Sequence, residues 1–307
     1  MFIDTHAHVN FNAFKEDADE VLKRALKNDT WVVMPGSQYS TSKRAVGIAE
    51  RYGNPSTGSG PSGVYAAIGL HPIHIGEQRK VDVLETQSAL DSARDKQPWE
   101  SFETRSEEFD YEAYKELIAG ASKGKVVAIG EVGLDYYYFP KSKAKREEIK
   151  QKQKETLQKQ MDLADEFGLP VILHCRKAHD DLLELLTTNY QLQTNLRGVV
   201  HSYTGTAEQA QKFIERGLYI GFNGLIFKDV PALPDPKEVI ASIPLERIVL
   251  ETDSPYLKPP QAPGDRNEPS FVRYVAEEIA RIKKINLEEV AQATTENARR
   301  LFTLSEG

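Results

Sequence analysis

Val171-Ile172-Leu173-His174 is a run of three apolar residues that ends in an imidazole, and Gly198-Val199-Val200-His201 repeats the device. Apolar runs this short suit strands buried on both faces. Working outward, comparable runs stand at Phe2–Ile3, Trp31–Met34, Val64–Ile68, Val126–Ile129, Tyr219–Phe222 and Ile248–Leu250. Longer polar stretches of helical period separate them; Ala18, Val21, Leu22, Ala25 and Leu26, for example, share one helix face. Eight strands alternating with helices in about 250 residues predict an α/β architecture, the (β/α)8 TIM-type barrel. An open doubly wound sheet has the same periodicity, so the residues at the strand ends decide more than the count.

Those ends are unusually polar. The first run closes as Asp4-Thr5-His6-Ala7-His8, the third as Gly69-Leu70-His71-Pro72, the fourth as Ile129-Gly130-Glu131 and the eighth as Leu250-Glu251-Thr252-Asp253. Of seven histidines, five stand at such ends, and only His74 and His179 do not. One histidine after a strand is ordinarily a satisfied polar group. In a barrel, however, all C-terminal strand ends converge on one rim, where barrel active sites lie.

Alternation along a strand is expected to point Asp4, His6 and His8 the same way. His6, His8, Glu131, His174, His201 and Asp253 offer more ligands than one tetrahedral ion needs, so two divalent cations are expected. Glu131 would bridge them, with His6, His8 and Asp253 completing one and His174 and His201 the other. Mixed nitrogen and oxygen ligation suits zinc or manganese, and admits magnesium. A bound water with its pKa lowered to about 7 is the expected nucleophile, and Asp253 the group that moves its proton. Catalytic weight therefore falls on Asp253 and Glu131.

Asp4, Asp135 and Glu251 are candidates to orient ligand imidazoles by accepting their second N–H. For Asp135 a turn or helix-capping role is an equal contender. Arg176 can aim a guanidinium at a phosphate, against the alternative of a surface ion pair. Tyr136–Tyr138 reads as partly core, with base stacking as the alternative. Lys141–Lys159 reads as a solvated helix face. Cys175 should point away from His174 as a buried thiol.

The formal charge of −7 argues against a broad basic surface coating a duplex. It leaves a phosphodiester substrate open, because cations supply positive charge that side chains lack. A single cysteine excludes an intrachain disulfide. No apolar run approaches the roughly 18 residues of a membrane span, and the N-terminus lacks signal-peptide character, so a cytoplasmic protein is expected. No stable protein partner is predicted, and the oligomeric state is open, with a monomer slightly favoured. One domain is expected over residues 1–307, with a loop at 54–61 and an acidic insertion at 81–108.

Taken together, Asp4-Thr5-His6-Ala7-His8, Gly130-Glu131-Val132-Gly133-Leu134-Asp135, His174-Cys175-Arg176, His201-Ser202-Tyr203-Thr204-Gly205 and Glu251-Thr252-Asp253-Ser254-Pro255-Tyr256-Leu257 resemble the TatD family of metal-dependent deoxyribonucleases, in the amidohydrolase superfamily. Gly69-Leu70-His71-Pro72 and Arg266-Asn267-Glu268-Pro269 fit the same pattern. The resemblance implies a barrel, a divalent-metal centre on the six residues named, and cleavage of DNA phosphodiesters, often exonucleolytic. It also implies that His71, Arg176 and Arg266 lie close to substrate. Ser202-Tyr203 departs from a common Cys-Phe pair, and the insertion is longer than the family pattern, which bears on substrate preference. Two alternatives stand beside it: the same centre acting on an ester, amide or aminoacyl-tRNA bond, and a barrel that binds metal or a partner without turnover. Asp253 argues against the last.

Overall fold

The computed structural model describes residues 1–53, 63–76, 80–82, 101–188 and 196–305. In chain order the strands are β1 (Phe2–Asp4), β2 (Thr30–Pro35), β3 (Val64–Ile68), β4 (Lys80–Asp82) and β5 (Ser101–Glu103). There follow β6 (Val126–Asp135), β7 (Val171–Arg176), β8 (Gly198–His201), β9 (Tyr219–Phe222) and β10 (Ile248–Leu250). Helices α1 (Ala18–Lys27), α2 (Tyr39–Glu50), α3 (Tyr111–Gly120), α4 (Lys143–Phe167) and α5 (His179–Thr188) alternate with them. The later helices are α6 (Ala207–Glu215), α7 (Pro236–Ser242), α8 (Val272–Lys283) and α9 (Leu287–Phe302).

Eight strands pair in parallel in the order β1-β2-β3-β6-β7-β8-β9-β10. A doubly wound sheet would leave β1 and β10 as open edges. Here the backbone joins them: Thr5 N–H donates to the Leu250 carbonyl at 2.9 Å, Asp253 N–H to His6 at 2.8 Å and His8 N–H to Ser254 at 2.8 Å. The sheet closes on itself, so the fold is the (β/α)8 barrel.

Strand alternation divides the core into two layers. Ile3, Val33, Tyr65, Val127, Ile172, Val199 and Val249 fill the lumen, and Leu301 and Phe302 of α9 plug its lower end. Met34, Ala66, Leu173, Cys175 and Val200 pack outward against the helices. The free thiol of Cys175 is thus buried on the helix side of β7, away from His174.

The charge-rich segment 141–159 lies largely within α4, capped by the Ser142 side chain and ended by Gly168 in the left-handed region (φ 61°). One stripe of α4, including Ile149, Gln153, Leu157, Gln160 and Ala164, is nevertheless buried. Of the expected insertion, β4 and β5 pair antiparallel as a separate ribbon, whereas 83–100 lie outside the described residues. So does the expected loop at 54–61. Among the described residues no helix is long and apolar enough to cross a membrane.

Candidate metal centre

The lumen-facing parity of three strands carries straight into the site. Ile172 is followed on the same face by His174, Val199 by His201, and Val249 by Glu251. Two other strands need a slip. On β6, Ile129, Val132 and Leu134 all face the helices, which strict alternation forbids. The ladder to β7 shifts register between Ile129 and Val132, so three steps on β6 match two on β7. This bulge turns Glu131 into the lumen, the usual effect of an extra residue beside a site. On β1, Ile3 faces the lumen but Ala7 packs with the helix layer, so the pattern inverts beyond Asp4. His6 and His8 then face inward and Asp4 does not join them.

Glu131 occupies the centre. Its Oε2 lies 3.3 Å from His6 Nε2 and 3.7 Å from His8 Nε2. Its Oε1 lies 2.8 Å from His174 Nδ1, 3.2 Å from His71 Nε2 and 3.9 Å from His201 Nε2. Asp253 closes the other side, with Oδ1 3.4 Å from His8 Nε2 and Oδ2 3.9 Å from His201 Nε2. The structure therefore brings all six expected ligand side chains together. The His6 and His201 rings stack with centroids 3.4 Å apart.

Hydrogen bonds at the far nitrogens decide which atom each ring can offer. His8 donates from Nδ1 to the Pro35 carbonyl (3.3 Å), and His201 from Nδ1 to Glu251 (2.9 Å). His174 has a carboxylate at each nitrogen, Asp135 at Nε2 (3.2 Å) and Glu131 at Nδ1 (2.8 Å), and donation from Nε2 leaves Nδ1 for a ligand role. A neutral ring so engaged presents a lone pair at its other nitrogen, the atom aimed into the cluster. His71 is the opposite case. Its Nδ1 accepts from Ile73 N–H at 3.0 Å, so in the neutral ring the proton sits on Nε2, facing Glu131. His71 is built to donate, not to ligate.

Burial, followed by the neighbouring His201, pushes His6 down to about 4 and keeps it neutral. His201 goes the other way: burial opposes the charge, but Glu251 beside it holds the ring up to about 10, so its inward Nε2 becomes a lone pair only when a cation displaces the second proton. Burial likewise opposes charge on Glu131, yet the surrounding imidazoles hold its carboxyl well below the usual range. Asp253 is depressed in the same manner by its histidine neighbours. Buried carboxylates that stay ionised among converging nitrogen lone pairs fit a divalent cation. The nitrogen and oxygen atoms that His6, His8 and Glu131 offer lie within 4.8 Å of one another.

The three expected orienting carboxylates divide. Glu251 accepts from His201 Nδ1 and also from Ser202 N–H, and a side chain on Gly221 would run into it. Asp135 accepts from His174 and from Arg176 Nε and its terminal nitrogen, at 3.1 and 2.9 Å. It also accepts from Tyr137 N–H, so turn and orienting roles coexist in one carboxylate. Asp4 works on backbone instead, accepting from His6 N–H (3.2 Å), Thr252 N–H (2.9 Å) and the Thr252 hydroxyl (2.5 Å). The inversion on β1 is the reason.

Arg266 is engaged by Asp17 and the Ala13 carbonyl, with its guanidinium 4.1 Å above the Phe14 ring. None of its hydrogen bonds runs to the imidazole cluster. Two residues that sequence reasoning passed over matter here. Gln153 holds Asp135 by its N–H (2.9 Å) and carbonyl (3.1 Å), and Gln160 holds Leu70, beside His71, in the same two-handed way. Amides two helical turns apart in an otherwise apolar stripe were the available signal.

Residues 3–303 match the protein family described as TatD related DNase. The chain is 36% identical over 307 residues to the metal-dependent hydrolase YabD of Bacillus subtilis (strain 168), covering 99% of this chain and 100% of that protein. It is 31% identical to the 3′-5′ ssDNA/RNA exonuclease TatD of Erwinia billingiae, over 98% of each. The crystal structure of YjjV, a TatD homologue from Escherichia coli K12, superposes with a TM-score of 0.73 at 28% identity, over 99% of this chain and 98% of that one.

Proposed function

Because the chain belongs to the TatD related DNase family and is a metal-dependent hydrolase, we propose that it is a deoxyribonuclease that cuts DNA phosphodiester bonds from a 3′ end. The observation that carries this reading is the double-sided use of Glu131, one oxygen toward His6 and His8 and the other toward His174 and His201. Glu131, with His6, His8, His174, His201 and Asp253, would hold two divalent cations, magnesium, manganese or zinc. The full-length relative named as a 3′-5′ ssDNA/RNA exonuclease supports the substrate class.

When bound, such cations supply positive charge that polarises a water and a phosphoryl oxygen. The rest falls to the chain. Asp253, 16% exposed, lies at the accessible edge of the cluster; its carboxylate takes the proton of the attacking water and passes it to the leaving oxygen. His71 offers its Nε2–H to a phosphate oxygen entering beside Glu131. Glu251 and Asp135 hold His201 and His174 in the tautomers that direct lone pairs inward. Arg176, fixed by Asp135, turns its remaining N–H groups toward the substrate backbone. Substrate contact by Arg266 would require it to leave Asp17.

The test is incubation of purified protein with end-labelled single- and double-stranded DNA in magnesium, manganese or zinc, with and without EDTA. Stepwise shortening from the 3′ end that EDTA stops is the expected result. Intact DNA with all three ions sinks the proposal.

A further inference from the structure

The nuclease reading places one phosphate at the imidazole cluster. A polynucleotide has neighbours on either side, and the surface of this chain is acidic overall, with a formal charge of −7. One stretch of the rim runs against that balance. Immediately beyond Asp135, the chain turns out as Tyr136-Tyr137-Tyr138, all half-buried. The Arg176 guanidinium lies 4.5 Å from the Tyr137 ring centre and 4.6 Å from that of Tyr138, anchored by Asp135. Lys177, exposed and in the left-handed region (φ 56°), places Nζ 4.7 Å from Tyr137. Lys150, on α4, places Nζ 4.7 Å from Tyr136. Lys154 is committed to Asp181, which also accepts from the Tyr136 hydroxyl.

Cations interleaved with partly exposed aromatic faces are what an unpaired nucleic-acid strand recognises: the charges track phosphates and the rings take bases. The position is fixed by covalent and hydrogen-bonded neighbours. Arg176 shares Asp135 with His174, whose other nitrogen is 2.8 Å from Glu131. A duplex would hide its base faces from these rings, whereas a single strand presents them. We infer that the platform of Tyr137, Tyr138, Arg176, Lys177 and Lys150 carries the strand flanking the scissile phosphate. The inference rests on the nuclease reading above.

Binding of a fluorescent oligothymidylate, followed by anisotropy in EDTA so that no cleavage occurs, tests it. Tyr137→Ala with Tyr138→Ala should weaken binding about tenfold or more, the loss expected when bases lose their aromatic stacking partners. Lys150→Ala with Lys177→Ala should lower the slope of log affinity against log salt by about 1.4, two single-strand phosphate contacts at about 0.7 each. Lys27→Ala with Arg300→Ala, exposed at the ends of α1 and α9 and far from the platform in the fold, removes the same charge and should leave the slope near that of the parent. Circular dichroism melting checks that every variant is folded. Folded platform variants with unchanged affinity and slope overturn the inference while the nuclease reading stands, provided the parent cuts DNA. A parent that neither binds nor cuts DNA removes both.

Discussion

The Nε2 atoms of His6 and His8 lie 3.2 Å apart. His8 already donates from Nδ1 to Pro35, so its Nε2 arrives as a lone pair, and the buried His6 Nδ1 has no hydrogen-bond partner among the described residues. With the His6 proton on Nδ1, two lone pairs converge on one point, an arrangement that a cation between them stabilises. Purified protein is therefore expected to hold divalent metal, measurable by elemental analysis. His6→Ala with His8→Ala should lower the content by at least one ion per chain. Chelation should lower the Tm, and readdition should restore about 4 kcal/mol at a thousandfold excess over Kd. A chain that purifies metal-free and melts identically with and without EDTA contradicts the centre.

Asp253 is the carboxylate at the exposed edge of the cluster. Asp253→Asn keeps its shape and removes its basicity. DNA cleavage should fall about 100-fold or more, the usual weight of a positioned acid–base group, with the melting temperature little changed. Undiminished cleavage would trace the activity to a contaminant.

Glu251 and Asp4 flank the same strand junction but act on different partners. Glu251→Gln disturbs the acceptor of His201 and should weaken metal affinity about 10- to 100-fold, read by titration against a competing chelator. Asp4→Asn touches no imidazole; it loosens the β1–β10 closure and should cost about 1–3 kcal/mol of stability while leaving metal affinity close to the parent. The reverse pattern would contradict the assignment.

Gly133 sits at φ +146°, and a side chain there would run into the His174 backbone. Gly133→Ala should destabilise the barrel by about 1–3 kcal/mol and displace His174, so that activity falls more than stability alone explains. Denaturant melts and kcat on the same preparation separate the two effects.

His179, buried against Tyr203 and Phe213, is pushed down to about 4 by burial. The unfolded ring titrates near 6.5, so between 6.5 and 4 the unfolded chain binds the extra proton. Stability from this group is complete above 6.5 and is lost as pH falls toward 4. Between pH 7 and pH 5 the loss is about 2 kcal/mol. His179→Leu should flatten the pH dependence of the urea midpoint by that amount. His6 contributes with the same sign in both proteins, so the difference between them reports His179.

Much of the rim is legible in the sequence. His174 and His201 follow apolar runs whose parity carries unbroken from lumen to site, so a local pattern sufficed. Asp4 and Glu131 break that rule, one left behind and one turned inward, because the pattern slips just beyond β1 and at a bulge within β6. Arg266 was placed near substrate by resemblance, whereas its hydrogen bonds run to Asp17, Ala13 and Glu268. Gln153 and Gln160 were submerged in a helix that reads as solvated charge.

The sequence by itself determined the barrel, the family and the six side chains that converge on the rim, since each depends on which residue ends which apolar run. Tertiary structure alone decided which nitrogen each imidazole presents, that His71 donates rather than ligates, and which carboxylate steadies a ring or a backbone. Those outcomes depend on partners far apart in the chain, such as His201 with Glu251 and His174 with Asp135. No local pattern encodes the angle at which two distant strands meet.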